Sequence, residues 1–212
     1  MSEHAIDVRF VVERADSIDH PHLARLLHDL YRAECNEMLS PDDAAMVRLL
    51  ERSLSVDATS EGAATFVVRD RLHDNRIVAS VGASTSRRPR SSPLTPKHVG
   101  HALRTLGPRS SARFLTTQLR LSQLLCATLP ERTTQLHSLI VDPDYRGYGL
   151  GVMLVDAVEQ YAASVGDERV HLYILDGNDV DRFYQRLGYR TQHIRPRLAA
   201  YPGRAMSKTL PA

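Results

Sequence analysis

The apolar residues of this chain follow two periods in turn, and the alternation predicts a domain that mixes strands with helices. At the start of the chain, residues 6–13 alternate apolar and polar positions, which indicates a strand with one buried face. Apolar residues at helical spacing follow over residues 21–38, and a second helical stripe covers residues 40–54 behind a capping serine and a proline. Two helices are therefore expected after the first strand.

The next segment predicts a hairpin and then an insertion. Apolar runs at 65–69 and 77–84 lie on either side of a polar turn, the pattern of two antiparallel strands. Residues from about 85 to 135 form an insertion that begins with a loop rich in serine, proline and arginine. Within it, helices are expected over 96–106 and 110–129, because glycine and proline separate these segments and end the second one.

A strand, a glycine-rich loop and a helix follow the insertion. The branched apolar run 136–141 suits a buried strand, which the following Asp-Pro-Asp ends because proline cannot continue a ladder. Apolar residues then recur at helical spacing from Gly149 until Gly166 supplies a stop. A last group of elements is predicted as strand, helix, strand and strand, at residues 170–175, 178–187, 190–194 and 204–210. Periodicity alone thus indicates an α/β or α+β domain.

Composition and length place the chain among ordinary globular proteins. Its 212 residues, 42% hydrophobic and 25% charged, suit a single domain with a substantial core. No apolar run approaches the length of a membrane span, and the first residues lack the pattern of a signal peptide, so a cytoplasmic protein without membrane contact is expected. Cys35 and Cys126 have no metal-ligand spacing, and we expect reduced core thiols and no bound metal.

The net charge of +2 is unevenly distributed. Residues 85–135 contain nine lysine or arginine residues and one acid, a balance of +8, so the remaining residues carry −6. A basic patch of this kind attracts an acidic substrate, a nucleic acid or the phosphates of a cofactor. Because Phe114 is the only aromatic residue among these charges, a solvated insertion is favoured and a nucleic-acid partner is not expected.

The loop Arg-Gly-Tyr-Gly-Leu-Gly before the long helix has the features of an anion-binding site. Glycines let backbone N–H groups approach a ligand, and the first turn of a helix offers unpaired donors at the positive end of its dipole. A P-loop is excluded because Val152 and Met153 follow the last glycine. A dinucleotide fingerprint is excluded because Val152 and Leu154 occupy the positions where its third glycine would stand.

The remaining pattern, Arg-x-x-Gly-x-Gly at Arg146, Gly149 and Gly151, resembles the acetyl-CoA pyrophosphate loop of the GNAT superfamily of N-acetyltransferases. The order of predicted elements resembles that fold over nearly the whole chain. The resemblance implies a mixed central sheet flanked by helices, here with the helical insertion between the third and fourth strands, and acetyl-CoA as cosubstrate. It also implies that the cofactor is bound along the fourth strand, by the glycine loop and by one asparagine: Leu139, Ile140, Val141, Arg146, Gly147, Tyr148, Gly149, Leu150, Gly151, Val152 and Asn178.

Tyr184 is the predicted general acid. The segment 183–189 resembles the superfamily's aromatic-Tyr-x-Lys/Arg-x-Gly-Phe/Tyr motif, whose tyrosine commonly faces the sulfur of coenzyme A. A phenol with a pKa of about 10 can protonate a thiolate whose conjugate acid has a pKa of about 8.5, a transfer uphill by only about 2 kcal/mol. The helical spacing of Tyr184 with Val180 and Leu187 also fits a core tyrosine.

His137 is the predicted general base. The strand at 136–141 is similar to the Leu-His-x-Leu-x-Val strand of the serotonin (arylalkylamine) N-acetyltransferases, in which histidines near the thioester take the amine proton through water. Those enzymes have a further histidine two positions earlier, where this chain has Gln135. Regular alternation would place His137, Leu139 and Val141 on one face of the strand. A strand histidine bonded into the core is the alternative, and His171 is a second candidate for the base.

These inferences predict an N-acetyltransferase that transfers the acetyl group from acetyl-CoA to a primary amine by direct attack, with a small-molecule acceptor. Two alternatives stay open. The acceptor is a protein, a peptide or an aminoacyl-RNA drawn by the basic insertion, or the chain binds acyl-CoA without turnover, which the absence of a histidine at position 135 would permit. The sequence leaves open the identity of the amine, the role of the insertion and whether the chain is a monomer or a homodimer.

Overall fold

The computed structural model describes residues 9–34, 43–57, 62–86, 96–125, 129–175, 180–192 and 203–211. Seven strands are present in these ranges: β1 (Phe10–Arg14), β2 (Ala63–Asp70), β3 (Arg76–Thr85), β4 (Thr133–Val141), β5 (Arg169–Leu175), β6 (Arg190–Gln192) and β7 (Gly203–Thr209). The helices in the same ranges are α1 (His20–Glu34), α2 (Asp43–Asp57), α3 (Pro96–Leu125), α4 (Leu150–Ser164) and α5 (Asp181–Arg186). Single 3-10 turns cover Ser17–Asp19 and Pro143–Tyr145.

The strands form one mixed sheet in the order β1-β2-β3-β4-β5-β7-β6. Neighbouring strands are antiparallel except β4 and β5, which run parallel. That parallel pairing extends over only three positions, from Thr133 opposite Arg169 to Gln135 opposite His171. Beyond Gln135 the two strands diverge and leave a gap in the middle of the sheet. The predicted hairpin and the predicted mixed sheet are both confirmed.

Helices cover both faces of the sheet. Successive side chains of a strand point to opposite faces, so Val67 and Val68 of β2 lie on opposite faces of the sheet. Val67 packs with Leu23 of α1, whereas Val68 belongs to the largest core cluster together with Leu154 and Val158 of α4. We refer to these sides as the α1 face and the α4 face.

The insertion packs on the outside of α1 and α2. Gly107 (φ 71°) interrupts α3, so the two predicted helices are observed as two segments joined at a kink. Ala102 and Phe114 from these segments are buried beside Ala24 of α1 and Leu50 of α2. The described part of the insertion therefore supports the two helices on the α1 face. Several predicted features lie outside the described residues: Cys35, Met38, Cys126, Asn178 and residues 6–8.

Candidate functional site

The glycine-rich loop between β4 and α4 has the geometry that its sequence predicts. Gly147 (φ 87°) and Gly149 (φ 77°) adopt left-handed backbone conformations, which are unfavourable for residues with a Cβ atom. Asp142 fixes the start of the loop, because one carboxylate oxygen accepts from the N–H of Asp144 (3.1 Å) and the other accepts from Arg76 (2.8 Å). The helix then begins at Leu150, directly after Gly149.

Consecutive backbone donors of this loop are unpaired. The N–H groups of residues 147–151 have no hydrogen-bond partner within the described part of the chain, whereas the N–H groups of Val152 and Met153 already bond to the carbonyl of Gly149. The side chain of Leu150 is buried and that of Arg146 is exposed. Five adjacent donors at a helix N-terminus fit a phosphate or pyrophosphate group.

A β-bulge interrupts β4 beside the gap in the sheet. Gly82 is opposite His137 and Ser80 is opposite Ile140, so two residues of β4 face one residue of β3. Ser138 in this bulge adopts φ 53°, a conformation that is rare for residues with a side chain. The bulge changes which side chains face each side of the sheet.

The expectation that His137, Leu139 and Val141 share one face was wrong. Leu139 and Val141 pack against the core cluster on the α4 face, whereas His137 contacts Gly82 on the α1 face. The left-handed backbone of Ser138 is the physical reason, because the extra residue reverses the alternation between positions 137 and 139.

The imidazole of His137 lies directly against Gly82. A Cβ atom built on Gly82 would be 2.1 Å from His137 Cε1, a distance that only glycine can accommodate. His137 Nε2 is 3.1 Å from Ser84 Oγ, and His137 Nδ1 is 3.5 Å from Ser138 Oγ. Gly82 and two serine hydroxyls therefore define the position of this ring.

Two cavities meet at His137. The first, which we name the acceptor pocket, lies between the sheet and the helices of the α1 face and contains apolar side chains from both helices, among them Leu23, Leu27 and Leu54. The second, the thioester cleft, occupies the gap between β4 and β5, where Leu30 of α1 and Tyr184 of α5 both line it. His137 and Ser138 line both cavities, so the cleft connects the two faces of the sheet at this point.

Tyr184 reaches the cleft from a cluster of aromatic rings. Its ring lies 4.9 Å from that of Phe183 and 5.6 Å from that of Tyr189, both edge-on. Burial, and then the nearby charge of Glu159, raise the pKa of Tyr189 well above its ordinary value, so this neighbour stays protonated. The structure therefore brings the predicted acid Tyr184 and the predicted base His137 to one cleft.

His171, the second candidate for the base, is buried in β5. Desolvation, and then the charge of Arg169, lower the pKa of His171 to about 4, so its ring is neutral at physiological pH. It does not line the acceptor pocket or the thioester cleft. Across the described ranges no group of three or more metal-ligating side chains is present, and no helix is long and apolar enough to cross a membrane.

Four residues of this site were not identified from the sequence. Ser84 and Ser138 carry no signal by themselves, since serines are common in strands and loops. Gly82 did carry one, because a glycine inside an apolar strand indicates a bulge or a close approach of another group. His20 of α1 also lines the acceptor pocket, and only the packing of α1 on the sheet places it there.

Comparisons with known proteins agree with this geometry. A region of 61 residues, 28% of this chain and 27% of the relative, is 33% identical to an uncharacterized N-acetyltransferase of Methanocaldococcus jannaschii. The chain thus aligns with about a quarter of that relative's length.

Solved structures of acetyltransferases share the fold at low sequence identity. A GNAT-family acetyltransferase from Staphylococcus aureus superposes with a TM-score of 0.58 at 15% identity, over 95% of this chain and 99% of that one. PaiA N-acetyltransferase from Thermoplasma acidophilum, in complex with coenzyme A, superposes with a TM-score of 0.54 at 11% identity, over 94% of this chain and 98% of that one. A variant of the spermidine N-acetyltransferase SpeG from Vibrio cholerae superposes with a TM-score of 0.56 at 11% identity, over 96% of this chain and 95% of that one. The model of the Acetyltransferase (GNAT) family matches residues 26–189, most of the chain, and the protein therefore belongs to that family.

Proposed function

We propose that this protein is a cytoplasmic N-acetyltransferase that transfers the acetyl group of acetyl-CoA to a primary amine of a small molecule. The observation that carries the proposal is the arrangement of three features around one gap in the sheet. The unpaired N–H groups of residues 147–151 lie at the end of β4, and His137 and Tyr184 line the cleft beside that strand. The solved structures bound to coenzyme A and named for spermidine support the cosubstrate and an amine as the acceptor.

The residues at the gap account for binding of the cosubstrate. The loop from Arg146 to Val152 holds the pyrophosphate through its backbone donors. Beyond Gln135, the edge of β4 that faces β5 has no strand partner within the described residues, so it offers backbone groups to the pantetheine arm along Leu139, Ile140 and Val141. With the pyrophosphate in the loop and the pantetheine arm along β4, the thioester would lie near the bulge at Ser138, where backbone N–H groups of β4 would stabilise the oxyanion of the tetrahedral intermediate.

Two side chains handle the protons of the transfer. His137 removes a proton from the attacking amine, directly or through water, and Ser84 beside its Nε2 can relay that proton. The C–N bond forms first and gives the tetrahedral intermediate. The C–S bond breaks when that intermediate collapses, and Tyr184 donates its proton to the departing thiolate of coenzyme A.

Calorimetry and an acceptor screen together test the proposed function. We expect heat of binding when acetyl-CoA is added to the folded protein, and thiol release with at least one amine of a mixed panel, detected with mass analysis of the acetylated product. Binding of acetyl-CoA without thiol release for any amine of the panel would favour a module that binds acyl-CoA without turnover. No binding at millimolar acetyl-CoA would overturn the proposal altogether.

A first prediction concerns the left-handed glycine at the start of α4. Gly149→Ala places a Cβ on a residue with φ 77°, a conformation that costs about 1–2 kcal/mol for other residues. If the loop relaxes without ligand, that strain returns on binding, and acetyl-CoA affinity should fall about tenfold. Calorimetry measures it, and Gly100→Ala is the matched control, because a Cβ at Gly100 meets no atom within 4 Å. Equal losses in both variants would contradict a role for the loop.

A second prediction concerns the pH profile. Deprotonated His137 is the active form, so kcat/KM should rise with pH as the imidazole loses its proton. His137→Ala should remove that acid limb. His171 cannot supply a limb well above pH 4, because its pKa is lowered to about 4. A limb well above pH 4 that persists in His137→Ala would assign the base to another group.

A further inference from the structure

The far end of the acceptor pocket carries a second histidine, well separated from the reacting centre. His20 is the first residue of α1, and Leu30 lies ten residues later in the thioester cleft. A helix rises about 1.5 Å per residue, so about 15 Å of α1 separates the two positions. His20 lines the acceptor pocket only, whereas Tyr184 lines the thioester cleft only.

The hydrogen bonds of α2 determine which nitrogen of His20 carries the proton. Ser55 Oγ donates to the carbonyl of Glu51 (3.0 Å) and also lies 3.1 Å from His20 Nδ1. A hydroxyl has one proton, and that proton is engaged with Glu51, so Ser55 accepts and His20 Nδ1–H donates. The neutral imidazole therefore keeps its lone pair on Nε2.

That lone pair has no partner among the residues that the structure describes. His20 is 93% buried, and its Nε2 makes no hydrogen bond to any described residue. A polar atom in a largely buried ring is stabilised by a hydrogen bond, and a molecule in the pocket can supply the donor in place of water. His20 thus offers an oriented acceptor to whatever occupies this end.

The charge of the described lining restricts that molecule further. Leucines from α1 and α2 supply the apolar surface, and Arg14 is the permanently charged residue of the lining. No aspartate or glutamate contributes to the pocket within the ranges that the structure describes. Against this described lining, a second ammonium group on the acceptor would lose its hydration without gaining a carboxylate in exchange.

We infer that the acceptor is a primary amine with an uncharged apolar body that ends in a hydrogen-bond donor, such as a hydroxyl group, which donates to Nε2 of His20. This inference rests on the proposed N-acetyltransferase function and names the substrate class of the same site. It separates this chain from enzymes whose acceptors are polyamines, since a polyamine would place a cation beside Arg14 and the leucines.

A matched set of amines tests the inference. The four compounds share one alkyl chain and differ at the far end: hexylamine, 6-amino-1-hexanol, 1,6-diaminohexane and 6-aminohexanoic acid, each with its eight-carbon homologue. We expect kcat/KM, followed by thiol release, to be about tenfold higher for the amino alcohol than for the alkylamine of one length, as one hydrogen bond allows. The diamine should be the poorest acceptor.

Two variants assign the preference to His20. His20→Phe removes the acceptor atom, so the ratio of kcat/KM between amino alcohol and alkylamine should fall from about ten to about one. Ser55→Ala changes an exposed residue outside the pocket lining and removes the partner of Nδ1, so the proton can move to Nε2 and the same ratio should fall. A merely structural role for His20 would lower both values of kcat/KM and leave their ratio unchanged.

The outcomes separate this inference from the proposed function. The inference would be overturned if thiol release were equal for all four compounds, or fastest with the diamine, or fastest with the amino acid, whose carboxylate would lie beside Arg14. The N-acetyltransferase assignment would stay intact in each case. An unchanged ratio in Ser55→Ala would also overturn it, even if His20→Phe does not fold. No thiol release with any amine of the wider panel would overturn the proposed function itself.

Discussion

Tyr184→Phe is expected to lower kcat by about 10²- to 10⁴-fold, the usual contribution of one acid–base group. The tyrosine lines the thioester cleft together with His137, and its removal leaves the thiolate of coenzyme A to depart without a proton donor. The ring itself remains, so its edge-on contacts with Phe183 and Tyr189 are retained. Steady-state thiol release at saturating amine measures the loss.

Tyr189→Phe is the matched control for this variant. Tyr189 is the neighbouring buried phenol, but it does not line the cleft, and burial keeps it protonated. We expect its removal to change kcat by less than the loss in Tyr184→Phe, and neither variant should change the affinity for acetyl-CoA by calorimetry. A turnover number within about threefold of the parent in Tyr184→Phe, far below the usual weight of an acid–base group, would remove this residue from the mechanism.

The cofactor end of the site could be predicted because its determinants are local. The spacing of Gly149 and Gly151 after a proline-terminated strand indicates an anion loop, and the structure gives that loop unpaired donors at positions 147–151. Positive φ angles at Gly147 and Gly149 are a property that glycine itself makes accessible. Local chemistry and local geometry agree here, so the sequence was informative.

The acceptor end could not be predicted, because its determinants are tertiary. Ser138 adopts a left-handed conformation that a serine in a strand does not predict. Because of this residue, His137 lies on the face opposite to the expected one. The tautomer of His20 depends on Ser55, which lies 35 positions away on another helix. Such relations appear only when α1 and α2 are placed on the sheet.

The insertion contributes to the acceptor end of the site through packing. Its buried Ala102 and Phe114 pack against Ala24 and Leu50, so the described part of α3 supports the helices that carry His20, Ser55 and Leu30. No residue of α3 whose side chain the structure describes lines the acceptor pocket or the thioester cleft. We therefore interpret the described part of this segment as a support for the acceptor-binding helices, and the exposed Arg104, Arg109 and Arg113 as part of a solvated surface.

Gly82→Ala is expected to lower kcat/KM by about 100-fold or more, although Gly82 has no chemistry of its own. A Cβ at this position would be 2.1 Å from His137 Cε1, so the imidazole must leave its place beside Ser84. A general base contributes about 10²- to 10⁴-fold, and a displaced base loses most of that contribution. Acetyl-CoA affinity should be unchanged, because the glycine loop follows the end of β4, whereas Gly82 is opposite His137 in the middle of that strand.

A double-mutant cycle distinguishes this cause from general damage to the sheet. If Gly82 acts only by leaving room for the imidazole, Gly82→Ala combined with His137→Ala should be no slower than His137→Ala alone. Losses that multiply would instead show that the added methyl group disturbs β3 independently of the histidine. Gly100→Ala, a glycine substitution without steric conflict, should keep the activity of the parent and sets the baseline for the comparison.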